Sequence, residues 1–478
     1  MLLGLKVNTM IDVEAKKDAI LYGKNIVKTF LILALPIMFS SIIKTAHDMV
    51  DMYVVANIKD AKSIVDAQVA AISFTTPIIS VVQGLAMGLM IAGTALMSQN
   101  IGAKQYAKAK RISGQLMLLC VFIGILFNIL LYILAPNIIR MMNAEEELFI
   151  YSVRYVRVRS FELSGLFIFF AFQATRQSMG DTLSPVIFNI ISIIINIILT
   201  MLFVLVLGFD LTGAAWGTVI GNMIIIPFCI GFLRRDDRHH MNLDWDSFKL
   251  DSKVLGRIFS LGWPAAISQS FTALGFVIVN SMIAGYDQSM FAGIGVGNRI
   301  NSLVLFPAFG IGGVLATFVG QNVGAKNPAR AKQGFFISLW MVLSITTVGT
   351  LILIPFRRFL VSVFLQEESA IELASKYLLF LLCNLPLMAI FQNFIGVFQG
   401  TGRTDLVLFL STSRLWIMRV PSLFLFLYVF NVGDRSVWHA MIIGNVGASI
   451  LGFILYQFVD FKMRKKDRII GREELAGE

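Results

Sequence analysis

Apolar residues run along this chain in long blocks, not in alternation. Each block reaches about 20 residues or more, the length an α-helix needs to cross a bilayer. Ile187–Leu207 and Leu415–Phe430 are examples of such apolar sequence within them. The pattern predicts twelve spans, near residues 29–57, 69–99, 112–135, 152–173, 185–206, 213–233, 259–285, 290–320, 335–356, 376–398, 406–430 and 437–460. A β-barrel would instead show short segments of alternating polarity. The predicted fold class is therefore an all-α polytopic membrane protein of twelve transmembrane helices. Composition agrees, since 57% of the 478 residues are hydrophobic and 14% are charged, against about 25% charged in soluble domains.

The polar stretches between the blocks orient them. The net charge is +11, which by itself would suit a nucleic-acid partner. However, the lysines and arginines gather in alternate loops and in the C-terminal stretch Lys462–Arg468. That is the asymmetry of a protein with its basic loops in the cytoplasm, so nucleic acid is excluded and both termini are expected there. The predicted organisation is a cytoplasmic segment 1–28, a first lobe 29–233, an inter-lobe loop 234–258, a second lobe 259–460 and a basic tail 461–478. The inter-lobe loop carries His239 and His240 without metal-ligand spacing and reads as a hydrated linker. Cys120, Cys229 and Cys383 stand alone in apolar runs and read as packing residues. No cleavable signal precedes the first span.

The two lobes echo each other in sequence. Gln99-Asn100-Ile101-Gly102-Ala103-Lys104 returns as Gln321-Asn322-Val323-Gly324-Ala325-Lys326, each after the second span of its half. Ser178-Met179-Gly180-Asp181-Thr182 returns as Gly400-Thr401-Gly402-Arg403-Thr404, and Leu35-Pro36 as Trp263-Pro264. Six spans per half is an even number, so the halves share one orientation. They are expected to be related by a pseudo-two-fold axis along the membrane normal, with a cavity between lobes that rock against each other.

The first span carries charge at membrane depth, which costs roughly 2.5–3.5 kcal/mol per residue on insertion scales and so points to function. Lys44 and Asp48 lie one turn apart, as do His47 and Asp51. Asp51 is the strongest candidate for binding a proton or, with added oxygen ligands, Na⁺. Ser192, Asn196 and Thr200 share one face of the fifth span, and Thr218 in the sixth adds a hydroxyl. Such small polar groups also serve as helix-packing contacts. In the second half, Gln269, Asn280, Asn298, Arg299, Asn301, Arg414 and Arg419 are the polar membrane residues. Of these, Gln269, Asn280, Arg299 and Arg414 are candidates to line a substrate cavity. Phenylalanine and methionine are abundant enough to give that cavity an adaptable apolar wall. Arg154, Arg157 and Arg159 open the fourth span, and Glu162 follows Arg159 at salt-bridge spacing. No Walker A motif, hydrolase triad or intramembrane zinc motif is present, so neither ATP-driven transport nor an enzyme is expected.

Together these segments resemble the multidrug and toxic compound extrusion (MATE) transporters over nearly the whole chain, and within them the bacterial DNA-damage-inducible-type branch. The markers are Leu35-Pro36 with Met49-Val50-Asp51, the Gln99–Lys104 stretch, Gly180-Asp181-Thr182, Ile195-Asn196-Ile197-Ile198-Leu199, Gly213-Ala214-Ala215, Gly262-Trp263-Pro264 and the Gly320–Ala325 stretch. The resemblance implies two six-helix lobes in the bacterial cytoplasmic membrane. It implies export of organic, often cationic small molecules in exchange for H⁺ or Na⁺, with no other cofactor. It assigns Asp51, Asn196 and Thr218 to the coupling cation, with Na⁺ a candidate there, and Pro36 to a hinge. Many members carry an acid where this chain has Thr200, so Asp48 is a candidate to compensate. Ile267–Phe271 also lacks the glutamate of the norfloxacin-exporter type. A monomer is expected. The alternatives are a flippase for lipid-linked sugars, for which Arg299, Arg414 and Arg419 would supply basic groups, and a non-transporting receptor or scaffold.

Overall fold

A computed structural model describes residues 13–56, 62–144, 146–235, 241–286, 288–362 and 368–464, and every regular element among them is helical. The side chains of Asp48, Asp51 and Arg299 lie outside the described residues, as do His239 and His240. After a short α1 (Val13–Leu21), the first half comprises α2 (Ile26–Ala56), α3 (Lys62–Gly102), α4 (Tyr106–Met141), α5 (Glu146–Ser160), α6 (Glu162–Ser178), α7 (Leu183–Met201) and α8 (Leu211–Arg235). The second comprises α9 (Ser252–Tyr286), α10 (Gln288–Gly324), α11 (Pro328–Ser362), α12 (Glu368–Gly400), α13 (Thr404–Thr412), α14 (Val420–Phe424) and α15 (Ser436–Gln457).

Eleven described helical stretches are long and apolar enough to cross a membrane. The remaining predicted span, near 152–173, is built from α5 and α6, which meet at a break at Phe161 beside the charged Arg159 and Glu162. Long helices suit a bilayer because the backbone must bond to itself where no water is available. Their outer faces are correspondingly apolar. On α4, Phe122, Ile125, Ile129 and Ile133 form an exposed stripe at helical spacing, as a lipid-facing surface requires. Cys120 and Cys229 are buried as predicted, whereas Cys383 is exposed on α12. Burial of a residue in an apolar run depends on which way its helix face turns, and lipid accepts the same side chains as protein.

The sequence echoes become geometry. At the end of α3, Lys104 adopts φ 60°, and the amides of Lys104 and Gln105 bond the carbonyls of Ile101 and Asn100. At the end of α10, Lys326 adopts φ 58°, and the amides of Lys326 and Asn327 bond Val323 and Asn322. Both are left-handed helix terminations of one type. The second echo repeats this with Gly180 at φ 83° and Gly402 at φ 70°. The two halves also grip each other reciprocally. Gln99 Nε2 donates to the Gly400 carbonyl at 3.0 Å, and Gln321 Nε2 to the Ser178 carbonyl at 2.8 Å. A Cβ on Gly102 would lie 1.9 Å from the Gln321 carbonyl oxygen, and one on Gly324 would lie 1.9 Å from that of Gln99. These glycines let the two lobes meet backbone to backbone. Likewise α3 packs along α9, and α10 along α2.

The connection between the halves is tied down. Its 3₁₀ turn (Trp245–Phe248) docks on α4, where Gln115 Nε2 donates to the Ser247 and Lys249 carbonyls at 3.1 and 2.8 Å. Lys110 pairs with Asp244 at 2.6 Å. At the same end α1 lies against the second half, where Arg330 donates to the Ala19, Ile20 and Gly23 carbonyls.

Candidate functional site

Within the first half, α2, α3 and α5 to α8 surround a cavity of about 590 Å³. Its wall is built where polar residues recur on one helical face. On α7, Asn189, Ser192 and Asn196 recur at spacings of three and four and all reach it; on α8, Thr218 and Asn222 lie one turn apart. Facing them, α2 contributes Lys44 and His47. His47 Nε2 lies 2.6 Å from Asn196 Oδ1, joining α2 to α7. A second bond joins the same two helices, with Asn189 Nδ2 donating to Ser40 Oγ at 3.0 Å. α2 runs without interruption through Pro36, whose missing N–H removes one intrahelical bond at that point.

The sequence-predicted residues sort as follows. Asn196 is 2% exposed and lines the cavity. Thr218 also lines it, and its hydroxyl donates to the Ala214 carbonyl at 3.1 Å. Thr200 turns the other way, so that a Cβ on Gly217 would lie 2.5 Å from its Oγ1. It holds α7 against α8. Asp48 and Asp51 are carried by α2, their side chains outside the described residues. In the second half, Gln269 is half-buried and Asn280 exposed; neither they nor Arg414 is among the residues lining this cavity. Arg414 is buried, with Nη1 donating to Asn445 Oδ1 at 3.2 Å and its guanidinium 4.4 Å from the Phe391 ring. Arg419 lies over Phe276 at 5.5 Å. A cation on an aromatic face is held without a carboxylate.

The cavity is more polar than the phenylalanine and methionine content suggested. Side-chain amides of Gln83, Gln173, Gln177, Asn189, Asn196 and Asn222 line it, with Phe169 and Phe170 as its described phenylalanines and no methionine among the described lining residues. Asn189 and Asn222 escaped the sequence reading, although their helical spacing from Asn196 and Thr218 was the available signal. Glu162 and Arg159 also line it. Their spacing revealed a salt bridge, found at 2.9 Å, but not the face on which it sits. Among the described residues no group of three or more His, Cys, Asp or Glu could hold a metal ion.

Comparison with known proteins agrees with this architecture. The MatE family profile matches residues 36–202 and 264–425. "Probable multidrug resistance protein YoeA" of Bacillus subtilis (strain 168) is 25% identical over 442 residues, 91% of this chain and 94% of that protein. "Multidrug export protein MepA" of Staphylococcus saprophyticus is 25% identical over 453 residues, 93% of this chain and 97% of its own length. Among solved structures, MATE in a straight conformation superposes with a TM-score of 0.85 at 20% identity, covering 94% of this chain and 98% of that one. MATE in a bent conformation gives 0.84 at 20% identity, covering 93% and 96%. These likenesses carry the two-lobed, twelve-span fold of a multi-pass membrane protein. A family match of that extent, with one segment in each repeated half, means that the chain belongs to the MatE family.

Proposed function

We propose that the protein is a secondary active antiporter that exports organic, cationic compounds in exchange for H⁺ or Na⁺ by alternating access. The observation that carries the reading is the polar cavity of the first lobe, in which His47 on α2 contacts Asn196 on α7. A proton or Na⁺ held at Asp51, with Asn196 and Thr218 and with Asp48 one turn away in the chain, stabilises one arrangement of this lobe. Substrate competes for the cavity and favours the other. Antiport then follows because each ligand binds the two arrangements unequally. Pro36 serves as the hinge of α2, and Gln269, Asn280 and Arg299 supply polar groups on the second-lobe side. The lobes are 29–233 and 259–460, and the protein acts as a monomer in the cytoplasmic membrane with both termini inside. The relatives named as multidrug export and resistance proteins support the substrate class. The flippase alternative rests on basic groups of the second lobe, of which Arg414 and Arg419 pack against Phe391 and Phe276; this favours the antiporter.

The test is ethidium efflux from proteoliposomes under imposed H⁺ or Na⁺ gradients, for wild type and Asp51→Asn. Gradient-driven efflux in wild type, lost in the variant, is expected, and the effective gradient names the ion. Normal coupled efflux in Asp51→Asn overturns the assignment.

A further inference from the structure

Glu162 begins α6 and is 3% exposed, and it is among the residues that line the cavity. Its Oε2 lies 2.9 Å from Arg159 Nη2 and is buried without a hydrogen bond; its Oε1 accepts from Asn222 Nδ2 at 2.8 Å. Asn222 Oδ1 in turn accepts from Ser192 Oγ at 2.6 Å. Glu162, Asn222 and Ser192 thus form a relay across α6, α8 and α7.

The second lobe contains the same relay. Gln99 and Gln321, Ser178 and Gly400, Glu162 and Asn384, and Ser192 and Arg414 are each separated by 222 positions, and Asn222 and Asn445 by 223. Asn445 Nδ2 donates to Asn384 Oδ1 at 3.1 Å, and Asn445 Oδ1 accepts from Arg414 Nη1 at 3.2 Å. The central asparagine and both bond directions are kept; only the ends differ. Where the first lobe has an acid, the second has a neutral amide, so the relay as a structural link does not need a negative charge. A buried charge that the architecture does not need is costly to keep, which points to a use for it. Glu162 is also the only acid among the described residues lining the cavity, whose other described charges are Lys44 and Arg159.

We infer that Glu162 is the specificity-determining carboxylate of the first-lobe cavity: it exchanges its pairing with Arg159 for the cationic group of an organic substrate, while Asn222 holds it in place. The inference rests on the proposed export of cations and adds a residue that chooses among substrates.

The test is equilibrium binding of ethidium, a permanent cation, and of Nile red, an uncharged dye, to purified protein in nanodiscs. Wild type, Glu162→Gln, Glu162→Asp and the double variant Arg159→Gln/Glu162→Gln are compared, with monodispersity and melting temperature checked for each. Glu162→Gln should weaken ethidium binding about ten-fold or more, the scale of a lost charge pair, and leave Nile red within about two-fold. Glu162→Asp should recover part of the loss. The double variant leaves no unpaired charge, so a purely structural ion pair predicts that ethidium binding returns; the inference predicts that it stays weak. Ethidium binding restored in the double variant, or equal loss for both dyes in Glu162→Gln, overturns the role of Glu162 alone. Wild-type protein that binds Nile red but not ethidium overturns the export of cations and this inference with it.

Discussion

Asp181 sits between α6 and α7 and serves both. Its carboxylate pairs with Arg176 and accepts bonds from the Leu183 and Ser184 amides at the start of α7, at 3.2 and 3.1 Å. Burial pushes its pKa up, but Arg176 and Ser184 outweigh that and hold it below the ordinary aspartate value. The unfolded chain therefore binds this proton more readily than the native one. The stabilisation is complete above the unfolded carboxylate pKa of about 3.9 and is lost as pH falls through the lower native value. Asp181→Asn removes the buried carboxylate with which Arg176 pairs, a change that costs about 3–5 kcal/mol in comparable pairs. The melting temperature of the variant in detergent should thus fall well below wild type at pH 7, and the gap should narrow as pH drops below about 4. A gap that is constant from pH 7 to pH 3 would remove the carboxylate from this account.

Helix ends carry the repeat. Lys104 and Lys326 occupy left-handed positions, where a side chain with a Cβ costs roughly 1–2 kcal/mol and glycine costs little. Helices that end this way usually place glycine there, as Gly180 and Gly402 do in the companion turns. Lys104→Gly and Lys326→Gly should each raise the melting temperature, by about 0.5–1 kcal/mol of stability. A fall in either would mean that the lysine makes a contact worth more than its strain. The α5–α6 break belongs to the same scale. It divides the fourth span at Phe161, with Glu162 first in the helix that follows.

Across the molecule, the lobes close on each other where the repeated glutamines cross. Each such neutral hydrogen bond contributes about 1 kcal/mol. Removing both with Gln99→Ala and Gln321→Ala should shift the population toward the arrangement open at this end by roughly thirty-fold. Pulsed-EPR distances between spin labels at positions 104 and 326 would show it as a growing long-distance fraction. An unchanged distance distribution would mean that the backbone contacts at Gly102 and Gly324 hold the closure without the side chains.

Much of this architecture was legible in the chain. The spans could be read because a bilayer demands long apolar helices, a requirement imposed locally on every segment. The duplication could be read because the turns of the two halves need the same backbone conformations, and those leave similar residues at Gln99–Lys104 and Gln321–Lys326. Ser192 and Asn196 could be read because helical spacing places them on one face, and both line the cavity. Packing decided the rest, since period alone cannot say which neighbour a helix face meets. Thr200 shares a face with Asn196, yet the close approach of α8 at Gly217 claims it for helix contact. Arg414 was a cavity candidate by charge, but Phe391 and Asn445 enclose it. Glu162 read as half of a local ion pair; only the assembly of α5, α6, α7 and α8 around one space made it part of a cavity wall.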